Sequence, residues 1–578
     1  MSEFDETRPA ALIDAFLDYL KAEGVEVVFG IPGGLLHSFF EAVEHDGDMD
    51  LVVAKHEEGS AFMADGYARC SGRLGVCAGT SGPGSTNLLT GVACAYADAV
   101  PLLVLTGQAD SRHLGKGAAQ ETAQGDMDIV SMFEPITKYS ARIEAPNRML
   151  HHLRRALRRA MTGRPGPVHL NVPVNFWQQA VEYEEFNPAK YRPNTTVFDR
   201  EAVKAAADIL TSSESPVILA GSGVRIARAE DELLRFAEQI RARVATTPRG
   251  KGVFPEDHPM SMGVFGFAGH QLAMKTILGD DVDTLMSVGT ALGETATFNW
   301  EPALMPSENF IQLDIDVDRL GRNYPVDVPL VGDAKTTLTE LFFHTKRRLA
   351  ERPLRSKWEE VDREAAESTR YRNPEMRSSE RMPVAPQRWR ADIGDLMPED
   401  AIVFSDIGGH MLFNIHNLEI SRDQDFIINL GFGSMGHGTA APLGAALSCP
   451  DRPVVAIVGD ACFTMNGMEL LTAVEYELPI IWIIENNQMH GITWHASKLL
   501  SEKDLPIGSI RYRRQLNIAE MARTMGLVSF RVERPGQIRG AFQEALQSNG
   551  PCVIEVLVDP TIEPPLRDRV DTIQGFKR

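Results

Sequence analysis

Two apolar, β-branched runs joined by a helix-length stretch constrain this chain more than any other feature. Residues 454–458 (Val-Val-Ala-Ile-Val) run into Gly459-Asp460, and residues 480–484 (Ile-Ile-Trp-Ile-Ile) run into Glu485-Asn486-Asn487. Between them, residues 468–477 read as a helix, so the segment is a βαβ unit of a parallel sheet. Such a unit brings Asp460 and Asn487 side by side at the carboxyl edge of the sheet, where α/β proteins bind ligands. A carboxylate and an amide oxygen there suit a hard cation such as Mg²⁺, which takes its remaining ligands from phosphate and water. The competing reading is two ordinary turns.

Strand-like runs at 25–29, 51–54, 74–79 and 102–106 alternate with helical stretches such as 10–21 and 58–68, which implies doubly wound parallel α/β sheets. Two polar, proline-bearing segments interrupt the pattern, near 182–196 and 351–386. They divide the chain into three α/β domains, expected at 1–185, 195–345 and 385–560, with a tail over 561–578. No sequence repeat relates the three. A chain of 578 residues with 43% hydrophobic and 24% charged residues has capacity for three full cores. Its net charge of −21 argues against nucleic-acid and anionic-membrane partners. An anionic ligand must then be held locally, by backbone N–H groups and a metal. No apolar stretch is long enough to span a bilayer, and the six cysteines form no CxxC pair, so the expectation is a cytoplasmic protein with unpaired, buried thiols.

Other segments carry candidate chemistry. Glu57 and Glu58 follow the strand 51–54, where dipole capping is the alternative to proton transfer. Residues 80–87 (Thr-Ser-Gly-Pro-Gly-Ser-Thr-Asn) leave room for a ligand beside a helix start. Residues 115–122 read as a flexible loop presenting Gln120. Ser405-Asp406-Ile407-Gly408-Gly409-His410 follows another strand, and Met435 sits among glycines as a wedge with few neighbours to pack against. Gly221-Ser222-Gly223 is a weak nucleotide signal; no acidic ribose partner follows the next strand, which leaves an NAD-dependent oxidoreductase a distant reading.

Together these pieces resemble the thiamine-diphosphate enzymes, most closely the acetohydroxyacid (acetolactate) synthases. The matching segments are 29–34, His56-Glu57, 80–87, 119–121, 245–259, 313–316, 433–436 and the Asp460…Asn487 motif. The resemblance implies a homodimer or homotetramer with active sites at the dimer interface. It implies a diphosphate held near Gly408, Gly409, His410, Gly459, Ala461, Cys462 and Gly491, and Mg²⁺ held by Asp460, Asn487 and the Met489 carbonyl. Glu57 would act on the pyrimidine ring near Asn87, Gly433 and Met435 would shape the cofactor, and Gln120, His490 and Thr493 would face a 2-oxo acid. The implied activity is a decarboxylating carboligase. A decarboxylase, lyase or acetyltransferase using the same cofactor is the alternative, and a non-catalytic binding partner a more distant one. No acid follows the metal motif (Ile492-Thr493-Trp494), which favours ligation over aldehyde release. Two departures stand out. Ala119 replaces an aromatic residue, which enlarges the acceptor side. Residues 289–295 lack the arginine and acidic pair that contact flavin in the synthases, which argues against FAD.

Overall fold

The computed structural model describes residues 8–123, 125, 127–183, 187–192, 197–359, 361, 370–500 and 509–566. Three six-stranded, wholly parallel sheets account for its architecture. The first runs, edge to edge, Asp50–Val53, Val27–Ile31, Gly75–Gly79, Leu102–Gln108, Val168–Pro173, Ser140–Arg142. The middle sheet runs Ser261–Val264, Arg243–Thr246, Pro216–Ala220, Thr284–Val288, Asn309–Asp314, Val328–Val331. The third runs Asp425–Ile428, Ile402–Ser405, Val454–Gly459, Ile480–Asn486, Cys552–Leu557, Val528–Val532. A short antiparallel pair, Arg8–Ala11 with Ala180–Tyr183, closes the first unit. Central strands such as Val454–Gly459 and Ile480–Asn486 are buried along their whole length. Helices cover both faces of such sheets, which is why these strands read as continuous apolar runs rather than alternating ones.

Numbered in chain order within each unit, the first and third sheets share the order 2-1-3-4-6-5, while the middle one is 3-2-1-4-5-6. The chain thus contains a structural repeat with no counterpart in its sequence. The cores follow the same plan. Each face of the middle sheet has its own cluster, but one continuous core spans the facing sides of the first and third sheets, from Phe29 and Val104 to Phe404 and Trp482. Two helices form its centre, Glu57–Ser71 and His437–Ser448. Their backbones pack so closely that a Cβ on Gly66 would lie 2.0 Å from the Ala441 carbonyl oxygen, and one on Gly444 1.8 Å from that of Met63. Only glycine permits this approach.

Polar clasps fix the remaining contacts. The Tyr476 hydroxyl takes the Val53 N–H and donates to the Leu51 carbonyl, at 2.9 and 3.0 Å, covering the edge strand of the first sheet. In the middle domain Lys251 is fully buried against Glu256 at 2.6 Å, and Glu256 also accepts from Arg370 and from the Ile420 N–H. The largest clasp joins all three domains. Arg69 bridges Asp65 and Asp98; Asp65 also binds His437 Nε2 at 2.7 Å, and Asp98 binds Arg249 at 2.6 Å and the Gly431 N–H at 3.2 Å.

The structure moves some expected boundaries. The helix expected over 468–477 is Glu469–Glu475, but a further helix, Asp460–Asn466, precedes it, so Asp460 opens a helix rather than ending a strand. The loop at 115–122 is not merely flexible, because the Glu121 carboxylate accepts the N–H groups of Gly115 and Ala118 and ties it shut. All six cysteines are unpaired, with Cys70 and Cys449 half-buried rather than fully so. Residues 567–578 of the expected tail, and parts of both expected linkers, lie outside the described residues.

Burial opposes ionisation of Asp65, but Arg69 and His437 outweigh it and hold its carboxyl at about 2 rather than 3.8. Because the folded value is depressed, the stabilisation is complete above the unfolded value and is lost as the pH falls through about 2. We expect wild type to exceed Asp65→Asn in denaturation free energy by an amount that shrinks by about 2 kcal/mol between pH 5 and pH 2. A difference that stays constant with pH would contradict the assignment.

Candidate active site

Each half of the expected site lies at the carboxyl edge of one of the two like-ordered sheets. On the first sheet, Glu57 is the first residue of the helix Glu57–Ser71 and is buried. Dipole capping is not its main contact: its carboxylate accepts the Asn87 side-chain N–H at 2.9 Å, and His56 provides the side-chain cap. Its neighbour Glu58 instead reaches Asn466 of the third domain at 3.2 Å. The strand end at Gly79 leads into Thr80, whose buried hydroxyl has no partner among the described residues. Gln120 is exposed, with a left-handed backbone (φ 58°), and its carbonyl accepts from the Ser81 hydroxyl at 2.6 Å. Glu57, Asn87, the 80–87 turn and Gln120 are therefore brought together at one edge.

On the third sheet, Asp460 and Asn487 meet as the βαβ reading expects. Asp460 is 3% exposed, and its two carboxylate oxygens accept from Ala461 N–H (2.7 Å) and Gln488 N–H (2.6 Å). Asn487 Oδ1 accepts from Met489 N–H at 3.0 Å. Burial, against these backbone donors and with Glu485 nearby, pushes the Asp460 carboxyl up to about 7. A cation at this point would reverse that penalty. Among the described residues no group of three His, Cys, Asp or Glu side chains could hold a metal. Any cation here would therefore draw on one carboxylate, one amide oxygen, a backbone carbonyl and ligand oxygens, the hard donor set that suits Mg²⁺.

Several residues expected near a diphosphate lie close together at this edge. The His410 ring packs on Gly459, where a Cβ would lie 2.8 Å from Nδ1, and on Gly408 at the same 2.8 Å from Cε1. Burial lowers the His410 pKa to about 3, so the ring is neutral, and its Nε2 has no partner among the described residues. Cys462 is buried with its thiol directed to the Ile407 carbonyl, and a Cβ on Gly491 would meet the Asn487 amide at 2.7 Å. Beneath His410, the buried Arg390 donates to Glu485 (2.7 Å), Asn414 (2.8 Å) and the His410 carbonyl (3.1 Å). His490 and Thr493 are exposed beside this motif.

The loop 431–437 carries Gly433 and Met435 and is held throughout. Gly431 N–H binds Asp98, Asn429 donates to the Ser434 carbonyl, Gly436 and Gly438 N–H bind Asp406, and the His437 ring binds Asp65. Contrary to the expectation of an isolated wedge, Met435 is half-buried and packs on the core shared by the first and third domains. Asp65, Asp98 and Arg390 escaped the sequence reading, and Asp406 entered it only as part of the 405–410 segment, without a role. Only the Asp65/Arg69 spacing of one helical turn could have flagged any of them.

The middle domain adds a cavity of about 340 Å³ at the point where its strand order reverses. Gly223, Gly289 and Thr290 line it, together with Arg164, Arg249 and Arg319. The 289–295 segment lacks an arginine, but three arrive from elsewhere; Asp98, Asp314 and Asp333 line the same cavity and Arg249 is paired with Asp98, so the lining is of mixed charge. Burial and the neighbouring Arg319 and Arg249 lower the Arg164 pKa.

Comparison with known proteins agrees with this geometry. Three domain models match: the thiamine pyrophosphate enzyme N-terminal TPP binding domain over 11–132, its central domain over 203–341, and its C-terminal TPP binding domain over 406–556. The chain is 34% identical to a protein of Methanocaldococcus jannaschii named "Probable acetolactate synthase large subunit", over 95% of this chain and 92% of that one. It is 32% identical to the acetolactate synthase large subunit of Corynebacterium glutamicum, over 94% and 86% of the two chains. Against the acetolactate synthase isozyme 3 large subunit of Escherichia coli it is 29% identical, over 93% of each. With all three domains matched and relatives aligned along nearly their full length, the chain belongs to the thiamine pyrophosphate enzymes.

Proposed function

We propose that this protein is a thiamine-diphosphate- and Mg²⁺-dependent carboligase of the acetolactate-synthase type, which decarboxylates a 2-oxo acid such as pyruvate and joins the acyl unit to a second carbonyl. One observation carries the reading: two sheets of the same strand order present complementary halves, Glu57 with Asn87 on one and Asp460 with Asn487 on the other. The relatives named above support the choice of reaction.

Thiamine diphosphate, when bound, supplies the carbon nucleophile that no side chain of the chain offers. Asp460, Asn487 and the Met489 carbonyl would hold Mg²⁺, with His410 and the backbone near Gly408, Gly409, Ala461, Cys462 and Gly491 toward the diphosphate. Glu57 is the group placed to exchange a proton with the pyrimidine, and Asn87 fixes the orientation of its carboxylate. Met435 and Gly433 shape the cofactor, while Gln120, His490 and Thr493, all exposed at the two sheet edges, face the substrate. The sites form between two copies of the chain in a homodimer or homotetramer. Exposed Phe432, Met465 and Met468 beside the Met435 loop support burial there by a second copy. No helix among the described residues is long and apolar enough to cross a membrane, and a cytoplasmic location is part of the proposal.

Incubation with thiamine diphosphate, Mg²⁺ and a panel of 2-oxo acids, with products identified by mass, tests the activity. Acetolactate or acetoin formation is expected, and free aldehyde alone would point to a simple decarboxylase. Glu57→Gln is expected to leave the circular dichroism spectrum unchanged and to lower turnover by roughly 10²–10⁴-fold. Turnover close to wild type would remove Glu57 from the mechanism. Asp460→Ala is expected to abolish Mg²⁺-dependent cofactor binding in calorimetry, and unaltered binding would place the cation elsewhere.

A further inference from the structure

The third-domain half of the site contains a polar group that the mechanism above leaves unused. Residues 509–512 fold back over the loop that follows Asn487. Tyr512 N–H donates to the Gln488 carbonyl and His490 N–H to the Ile510 carbonyl, both at 3.1 Å, and Met489 bridges antiparallel to Arg511. Gln488 donates its own N–H to Asp460 at 2.6 Å. Tyr512 is thus bonded to the residue that steadies the Asp460 carboxylate. Its ring meets the His490 ring edge-on, with centroids 5.7 Å apart at 87°.

The Tyr512 hydroxyl is buried and has no hydrogen-bond partner among the described residues. A phenol carries its proton at neutral pH, so this hydroxyl is a donor in want of an acceptor. A buried hydroxyl without a partner is costly unless a ligand or ordered water completes it. Another orphaned polar atom of this half is His410 Nε2, on a ring that packs against Gly459. Two neutral, unsatisfied groups therefore belong to the pocket whose carboxylate is already saturated by backbone donors.

We propose that Tyr512 is a further cofactor-binding residue, its hydroxyl donating a hydrogen bond to a diphosphate oxygen of the thiamine diphosphate held at Asp460 and Asn487. This inference rests on the function proposed above. A neutral donor suits the place: it binds an anion without adding a charge that would compete with the cation for Asp460. The phenol would act in binding, not in the bond-making step.

The test is calorimetric titration of the full-length, cofactor-stripped protein and its Tyr512→Phe variant, at saturating Mg²⁺, with thiamine diphosphate and separately with inorganic pyrophosphate. The expected result is affinity roughly ten-fold or more weaker in Tyr512→Phe, by a similar factor for both ligands, because a hydrogen bond to a charged acceptor is lost. The thermal midpoint of the stripped protein should be unchanged, since the hydroxyl has no partner among the described residues to lose. Equal affinities in the two proteins would overturn the inference. So would a loss seen with thiamine diphosphate but not pyrophosphate, which would place the phenol against the ring system, or a change confined to the Mg²⁺ requirement, which would place it on the water shell of the metal. Wild type that takes up pyrophosphate but not thiamine diphosphate would defeat the functional reading while leaving an anion site at Tyr512. Wild type that binds neither would defeat both.

Discussion

The fold turns on three charges removed from water together: Asp65, Arg69 and Asp98. Both aspartates are fully buried, and Arg69 spans them. A lone charge in such a place would be costly, and removing one member of a buried ionic set strands the others. Further partners for both carboxylates come from other domains: His437 and Gly431 from the third, Arg249 from the middle. The arrangement is satisfied only when all three domains are docked. It also decides where Met435 lies. The loop 431–437 is rich in glycine and would wander alone, but its first N–H is pinned to Asp98 and its last side chain to Asp65, with Arg69 setting the distance between the two. A Cβ on Gly431 would sit 2.1 Å from Asp98 Oδ1, so the residue that gives the loop its freedom is also the one that lets the clasp close.

A chain of net charge −21 meets an anionic cofactor with a problem of sign. The site does not answer it with lysine or arginine against the phosphates. On the proposed reading it would use neutral donors, in His410 and the backbone, and leave the positive charge to a cation. Arg390, the nearest buried arginine, is consumed by Glu485 and acts only through the His410 carbonyl. The raised carboxyls of Asp460 and Asp406, at about 7 and about 6, reflect the same economy: both are buried mainly among backbone N–H groups rather than side-chain cations. The middle-domain cavity differs, gathering Arg164, Arg249 and Arg319 together with Asp98, Asp314 and Asp333.

What the sequence revealed, and what it hid, follows from how local each feature is. The Asp460–Asn487 pairing was legible because one βαβ unit spans both residues and parallel strands place their ends together. Glu57 was legible as a carboxylate at a strand end, although its bond to Asn87 decides between capping and chemistry, and that bond is tertiary. Tyr512 was not legible. It lies in a short irregular segment with neither period nor motif, and only the fold brings it over Gln488. The arginines of the middle cavity come from three separate stretches, so inspection of residues 289–295 alone could not find them. Met435 seemed isolated because its chain neighbours are small, yet its packing partners belong to the core shared with another domain. The division into helices at 460–466 and 469–475 was lost for a plainer reason, since no breaker stronger than Gly467 separates them.

The shared strand order of the first and third sheets has a functional consequence. In both, the order reverses between the first and third strands, which is where α/β sheets open a ligand crevice. Equivalent strands then carry matching parts. The second strand leads to Glu57 in one domain and to the Met435 loop in the other. The third leads to the 80–87 turn and to Asp460, and the fourth toward Gln120 and to Asn487. On the proposed function, one scaffold would offer a proton-handling carboxylate in one copy and a cation-holding carboxylate in the other. The difference lies in environment: Glu57 is held by a single amide, whereas Asp460 is wrapped by backbone donors beside a neutral histidine. Two carboxylates set in like scaffolds can serve a single ligand only if the crevices face each other. In the proposed homo-oligomer a second copy of the chain would bring them face to face, which makes association part of the proposed catalytic machinery.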